Sequence, residues 1–198
     1  MKKMTTAELV TIALVAAILC ILAPISIPVG FTPIPITLGW FAVVMAGIVL
    51  GGKKGTVCVL IYILLGAAGL PVFSGYSGGF QKILGPSGGY LWGYLFLAWL
   101  TGCFAEMGGR NLAQMMRRTA VGAVLGAVIC YAFGTVWMGV QLHMTPMEAL
   151  WAGVIPFVPL DAAKTVLALA ACCPLRQRLV SLGLIPVKSE PHFWIKKK

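Results

Sequence analysis

The sequence predicts an all-α fold: an integral membrane bundle of six transmembrane helices with the N- and C-termini cytoplasmic. Of its 198 residues, 60% are hydrophobic and only 10% are charged, and the mean hydropathy is +0.95, far outside the range of soluble domains. Six apolar segments are also long enough to cross about 30 Å of hydrocarbon. These predicted spans cover residues 7–25, 36–52, 55–71, 88–106, 119–140 and 154–173, within a single membrane domain of residues 1–198.

The placement of the basic residues predicts the orientation. A formal net charge of +10 would suggest nucleic acid if the protein were soluble. Here most basic residues fall on one side of a six-span chain, which the positive-inside rule assigns to the cytoplasm. They are Lys2, Lys3, Lys53, Lys54, Arg110, Arg117, Arg118, Arg176, Arg178, Lys188 and residues 196–198. We therefore expect a multi-pass protein of the cytoplasmic membrane whose basic loops contact membrane lipids, with no nucleic-acid partner.

Span one carries a start signal and a pair of small residues. The spacing of Thr5 and Glu8 predicts a capping box, which gives Glu8 a structural role. Ala13 and Ala17 lie one helical turn apart and would let another helix approach closely. The sequence leaves open whether that helix belongs to this protein or to a partner. The same spacing recurs at Gly47 and Gly51 and at Gly122 and Gly126.

Residues 24–37, after span one, contain four prolines and no charged residue. Proline lacks the backbone donor and disfavours helix in the residue before it, so a regular helix is not expected there. An apolar, extended segment of this kind suits a cover over a site on the outer face. Phe31 is its candidate ligand contact.

Residues 70–90, after span three, combine many glycines with aromatic side chains. Glycine lets the backbone approach a ligand closely, and aromatic rings supply flat apolar surfaces. The candidate ligand contacts are Tyr76, Ser77, Gly78, Gly79, Phe80 and Tyr90.

The same loop fits the Gly-x-Ser-x-Gly pattern of hydrolase nucleophiles between Gly75 and Gly79. That pattern needs a strand-turn-helix setting and a positioned histidine, whereas His143 lies in a different loop. A membrane serine hydrolase that uses Ser77 or Ser87 is thus a minor alternative. We predict no enzymatic activity, no catalytic residue, no metal site and no cofactor.

The segment before span six has its own helix signals. Thr145 and Glu148 have capping-box spacing with Pro146 between them, which predicts a short outer helix over about residues 146–154. Pro156 and Pro159 then interrupt the entry into span six.

Asp161 and Lys164 are an acid and a base inside the last apolar span. An Asp at the centre of a membrane helix costs roughly 2.5–3.5 kcal/mol on insertion scales, so such residues usually face a protein interior or a cavity. Their spacing of three places both on one helix face, within reach of the outer side. A carboxylate accepts N–H bonds and an ammonium donates to oxygen, so the pair suits a small amphipathic ligand. The alternative is an ion pair that only neutralises two buried charges.

Taken in chain order, several motifs resemble those of the BioY family, the biotin-specific S components of energy-coupling factor transporters. The motifs are Ala13-x-x-x-Ala17, Thr32-Pro33-Ile34-Pro35-Ile36-Thr37-Leu38, Gly69-Leu70-Pro71-Val72-Phe73-Ser74-Gly75, Ser77-Gly78-Gly79, Leu84-Gly85-Pro86-Ser87-Gly88-Gly89-Tyr90 and Pro159-x-Asp161-x-x-Lys164. They cover essentially the whole chain. Leu160 and Gly39 depart from the family, which often has Gly and Gln at these positions.

The resemblance implies a six-helix subunit that captures biotin from outside for an ABC-type transporter. Asp161 and Lys164 would then contact the polar groups of the ligand. The face of Ala13 and Ala17 would dock onto a transmembrane T component, which couples to two cytoplasmic ATPase subunits. The alternative is an S component that binds another small vitamin.

Overall fold

A computed structural model of the chain describes residues 6–30, 32–108 and 111–183, and these ranges are mostly helical. Lys2, Lys3, Arg110, Lys188 and residues 196–198, used above to predict the orientation, lie outside the described residues. The elements in the described ranges are α1 (Thr6–Leu22), β1 (Ser26–Ile27), β2 (Ile36–Thr37), α2 (Gly39–Leu50), α3 (Gly52–Ala67), α4 (Phe80–Leu84), α5 (Gly88–Glu106), α6 (Leu112–Leu142), α7 (Pro146–Gly153) and α8 (Phe157–Ser181).

Each predicted span overlaps at least one helix, but several boundaries move. The fourth span coincides with α5. The second was placed too early, because Ile36 and Thr37 form β2, which pairs antiparallel with β1. The third was placed too late, because Gly69 has a φ of 102°, a left-handed conformation that ends a helix. The sixth was too short, since α8 continues through Pro174 to Ser181.

Two of these helices, α6 and α8, are long and apolar enough to cross a membrane among the described residues. Shorter apolar helices cover Glu8–Leu22 and Gly39–Leu50. At a rise of about 1.5 Å per residue, the 12 residues of α2 extend only ~18 Å, which is well short of the hydrocarbon thickness. The prolines and the β pairing before α2 explain why the helix starts later than the predicted span.

Helix α5 lies at the centre and packs against α2, α3 and α6. Its close approach to α2 needs Gly47, where a Cβ atom would come within 2.7 Å of the Ala98 carbonyl oxygen. Gly126 gives α6 the same proximity to Leu97. These glycines therefore pack inside the protein. Ala13 and Ala17, by contrast, are exposed on α1.

The junction between α2 and α3 is the single residue Gly51, and side chains from two other helices hold it. Arg176 of α8, which the sequence suggested as an orientation signal, is buried and donates to the carbonyls of Ile48 (2.7 Å) and Val49 (3.0 Å). At the start of α3, Glu106 accepts a hydrogen bond from the backbone N–H of Gly52 at 3.2 Å. Arg176 therefore has a structural role that its sequence position did not indicate.

The capping signals have two outcomes. The capping box of Thr145 and Glu148 is confirmed at the start of α7. At the first helix, Thr5 lies outside the described residues, and Glu8 forms an ion pair with Lys54 of α3 at 2.8 Å. Glu8 thereby joins α1 to α3.

Candidate ligand-binding site

A cleft of about 710 Å³, including its part open to solvent, lies where the β hairpin, α4 and α7 meet the ends of α2, α5 and α8. Hydrophobic and aromatic side chains form most of its wall. The lining residues are Ala23, Ile34, Pro35, Thr37, Gly39, Trp40, Tyr62, Phe73, Ser74, Lys82, Ser87, Tyr90, Leu91, Tyr94, Tyr131, Gly153, Phe157, Asp161 and Lys164.

Asp161 and Lys164 both line this cleft, as their spacing predicted. Asp161 lies in the second turn of α8, and its Oδ1 accepts a hydrogen bond from Lys164 Nζ at 2.9 Å. The two side chains are only 9% and 14% exposed, respectively. The structure therefore contains the ion pair, and both of its residues also line the cleft.

A second layer of polar groups surrounds Asp161. The hydroxyl of Tyr131, from α6, donates to Asp161 Oδ2 at 2.7 Å. Thr165 donates to the Asp161 backbone carbonyl at 2.7 Å and accepts from the indole N–H of Trp40 at 3.0 Å. The rings of Trp40 and Tyr131 stack, with centroids 5.3 Å apart and planes at 22°.

Tyr90 is the other predicted contact that lines the cleft. It is buried, and its hydroxyl donates to the Gly153 carbonyl at 3.0 Å. This bond ties α5 to the end of α7, so Tyr90 presents mainly its ring to the cavity.

Five other predicted contacts lie outside the cleft lining. Tyr76, Ser77, Gly78, Gly79 and Phe80 are not among the residues lining the cleft, and Tyr76 and Phe80 are 68% and 62% exposed. Phe31 lies outside the described residues. The loop still contributes to the wall through its neighbours Phe73, Ser74 and Lys82. Contact between a ligand and Tyr76, Ser77, Gly78, Gly79, Phe80 or Phe31 stays a prediction.

Ser77 has a local structural partner. Its hydroxyl donates to the Ser74 carbonyl within the same turn, at 2.7 Å. A nucleophilic serine instead donates to a base, usually histidine. His143 ends α6 in a left-handed conformation and lines a different groove, between α6 and α8. The geometry thus gives no support to Ser77 as a hydrolase nucleophile.

Sequence reasoning missed Trp40, Tyr94 and Tyr131 as parts of the wall. Each is an aromatic residue within an apolar helix, where it carries no signal that separates it from ordinary core packing. Lys82 had a clearer signal, because it is the single basic residue in the outer loops of the predicted topology.

The charges around the cleft are unequal. Among its described lining residues, Asp161 is acidic and Lys82 and Lys164 are basic, which leaves one excess positive charge. A small ligand with one negative charge would neutralise it. The other polar side chains of the cleft wall can donate hydrogen bonds to a ligand or accept them from it. The rings of Trp40, Tyr62, Phe73 and Phe157 can cover the apolar part of the ligand.

Comparison with known proteins gives consistent results. The model of the BioY family matches residues 1–181. The biotin transporter BioY of Rhizobium etli is 39% identical over 195 residues, which cover 94% of this chain and 100% of that protein. The biotin transporter BioY of Thermotoga maritima is 38% identical over 161 residues, covering 81% and 90%, respectively. In structure, the chain resembles the S-component for biotin from an ECF-type ABC transporter, with a TM-score of 0.78 and 31% identity over 88% of this chain and 95% of that one.

Proposed function

The chain belongs to the BioY family, and we propose that it captures biotin on the outer side of the cytoplasmic membrane as the S component of an ECF-type ABC transporter. The observation that carries the proposal is the buried Asp161–Lys164 pair, which opens onto a cleft with aromatic walls. The relatives are named as transporters, and the chain acts in binding rather than in catalysis.

Biotin has the chemistry that this cleft can recognise. Its ureido ring carries two N–H donors and a carbonyl acceptor, side by side on the ring. Asp161 can accept from an N–H group, and Lys164 can donate to the neighbouring carbonyl oxygen. The thioether ring and the alkyl chain are apolar and fit against the aromatic wall. Tyr76, Ser77, Gly78, Gly79, Phe80 and Phe31 complete the proposed ligand contacts from the outer loops.

The carboxylate of biotin fits the excess positive charge. Lys82 is half-buried in α4 and lines the cleft from a different helix than the Asp161–Lys164 pair of α8. We assign it to the ligand's carboxylate, because an ammonium in a partly desolvated site favours an anion. Asp161 and Lys164 then remain for the ureido ring.

The membrane arrangement is part of the same proposal. In this proposal the six predicted spans correspond to α1, α2, α3, α5, α6 and α8, of which α2 by itself covers only part of the hydrocarbon thickness, with both termini cytoplasmic and the cleft facing outward. The exposed Ala13 and Ala17 face of α1 docks onto the transmembrane T component, which two cytoplasmic ATPase subunits drive. Small residues on an exposed face suit this role because they let helix backbones approach closely. Membrane lipids surround the remaining apolar surface.

Binding of labelled biotin to the purified protein tests the function. We expect a Kd between nanomolar and low micromolar. Asp161→Asn and Lys164→Met should each weaken it by at least about tenfold, because each removes a charge-assisted hydrogen bond. The matched controls, Glu148→Gln and Lys53→Met, change exposed charges away from the cleft and should bind as the wild type does. If both site variants kept the wild-type Kd, the assignment of the pair would be wrong.

A panel of other vitamins tests the alternative ligand. Unlabelled biotin should displace the label completely, whereas thiamine and riboflavin at the same concentration should not. Preferential binding of another vitamin would replace biotin as the ligand and leave the S-component role intact.

A further inference from the structure

Both oxygens of the Asp161 carboxylate are occupied in the structure. Oδ1 accepts from Lys164 at 2.9 Å, and Oδ2 accepts from Tyr131 at 2.7 Å. A carboxylate has about four lone-pair sites, so each oxygen can still accept one further hydrogen bond. The two donors thereby determine which lone pairs remain available to a ligand.

The ring of Tyr131 is held in place by contacts across three helices. Trp40 of α2 stacks against it, and the Trp40 indole N–H donates to Thr165 of α8. Thr165 in turn donates to the backbone carbonyl of Asp161. Trp40 itself is buried, with only 4% of its surface exposed. The network joins the tyrosine and the aspartate by two routes, one through the side chain and one through the backbone.

Trp40, Tyr131 and Asp161 also separate two spaces. The same three residues line the cleft and an apolar groove that runs between α6, α7 and α8. On the groove side, the carboxylate would otherwise meet mostly apolar side chains, where an unpaired charged oxygen is costly. The Tyr131 hydroxyl provides the hydrogen bond on this wall.

From these contacts we propose that Tyr131 is a positioning residue for the ligand: its hydroxyl fixes the Asp161 carboxylate so that free lone pairs face the cleft, and it acts on affinity through Asp161. The proposal rests on the proposed function, since it takes biotin as the ligand whose N–H group donates a hydrogen bond to Asp161. Lys164 alone leaves Oδ2 free to turn toward the groove. Tyr131 and Lys164 together restrict the Asp161 carboxylate to one orientation.

A double-mutant cycle on biotin binding tests this role. Tyr131→Phe removes only the hydroxyl and should raise the Kd by about tenfold, the effect of one hydrogen bond to a charged group. In an Asp161→Asn background, the same change should raise the Kd by less than about twofold, because the carboxylate it orients is gone. Thr119→Val removes a buried hydroxyl from the same helix at a position outside the cleft lining; it is the matched control and should bind as the wild type does.

Equal losses in both backgrounds would overturn the proposal, since they would mean that Tyr131 contacts the ligand directly or only supports the fold. An unchanged Kd in Tyr131→Phe would overturn it as well. Failure of the wild-type protein to bind biotin would contradict the proposed function itself, which keeps the two failures distinct.

A ligand analogue provides a second readout if Asp161→Asn does not fold. Biotin methylated on a ureido nitrogen lacks one N–H donor. The wild type should prefer biotin over this analogue, and Tyr131→Phe should reduce that preference by about fivefold or more, because a misoriented carboxylate no longer distinguishes them. A preference that stayed the same while both affinities fell would indicate a structural role only and overturn the proposal.

Discussion

The guanidinium of Arg176 donates to the carbonyl oxygen of Ile48 at 2.7 Å, across 128 positions of the chain. The last carbonyls of a helix have no partner within it, and buried ones must find one elsewhere. In α2 the requirement is acute because Gly51, which directly follows, turns the chain with a φ of 84°. Arg176 thus ties the last long helix to the junction of α2 and α3.

Replacement of Arg176 by Met should therefore destabilise the protein. The change leaves the carbonyls of Ile48 and Val49 unpaired in a buried setting, at a cost of about 2–4 kcal/mol. We expect the melting temperature in detergent to fall by roughly 5 °C or more. Arg178→Met, two positions along on the exposed side of α8, is the control and should change it little. Equal melting temperatures for the two variants would refute this role.

The Asp161–Lys164 pair should respond asymmetrically to single and double replacement. Lys164→Met leaves a buried carboxylate without its cation and should cost about 3 kcal/mol of stability, whereas Asp161→Asn combined with Lys164→Met removes both charges and should cost less. Thermal unfolding without ligand measures this, and biotin binding should be weak in both variants. Simple additivity of the two single changes would show that the pair contributes nothing through mutual neutralisation.

Lys82 should distinguish biotin from its uncharged derivatives. Lys82→Gln should weaken biotin binding by about fivefold to tenfold but leave the binding of biotin amide nearly unchanged, because the amide lacks the carboxylate. Isothermal titration calorimetry with both ligands measures the difference. Lys53→Gln, an exposed lysine at the start of α3, serves as the control. Parallel losses for biotin and its amide would place the carboxylate elsewhere.

The small-residue face of α1 should be needed for assembly alone. Ala13 and Ala17 are exposed, so changing both to Leu should leave the melting temperature and biotin affinity unchanged. The same change should reduce co-purification with the T component and ATPase subunits by about tenfold, since larger side chains keep the helices apart. Ala16→Leu is the contrasting variant, because Ala16 is buried and overpacking should destabilise the fold. Normal co-purification of the double variant would show that the T component docks on a different face.

Glu148 gives a prediction on pH. The backbone N–H of Thr145 donates to its carboxylate at 2.8 Å, which holds the pKa of Glu148 below its ordinary value of 4.5. A lowered pKa means that the capping box contributes its stability above about pH 4.5 and loses it as the pH falls through the native pKa. The melting temperatures of wild type and Glu148→Gln should thus differ more at about pH 7 than at about pH 3. A pH-independent difference would contradict this account.

The sequence predicted the helical segments better than their ends. Residues 88–106 match α5 because an unbroken apolar run with turn residues before it gives a clear start. The start of α2 was missed because Thr37 pairs with Ser26, a contact between distant residues that local hydropathy does not encode. The extension of α8 beyond Pro174 was missed because proline ordinarily interrupts helices, whereas here the helix continues to Ser181 and includes the buried Arg176.

The site was predictable where residue chemistry conflicts with its surroundings. Asp161 and Lys164 stand out because charges are rare in apolar helices. Tyr131 gave no such signal, since a tyrosine is compatible with an ordinary membrane helix. For the loop around Tyr76, composition identified a plausible binding segment but could not say which side chains point toward the cleft. In the structure the side chain of Tyr76 is exposed.

The position of Trp40 has an optical consequence. The chain has six tryptophans, and among the described residues that line the cleft, Trp40 is the single tryptophan. Its indole ring stacks on Tyr131 and donates a hydrogen bond to Thr165. Indole emission responds to the polarity and hydrogen bonding around the ring. Occupation of the cleft should therefore shift the intrinsic fluorescence of the protein, and the shift should vanish in Trp40→Phe. The protein thus carries its own reporter of ligand occupancy, with no attached dye.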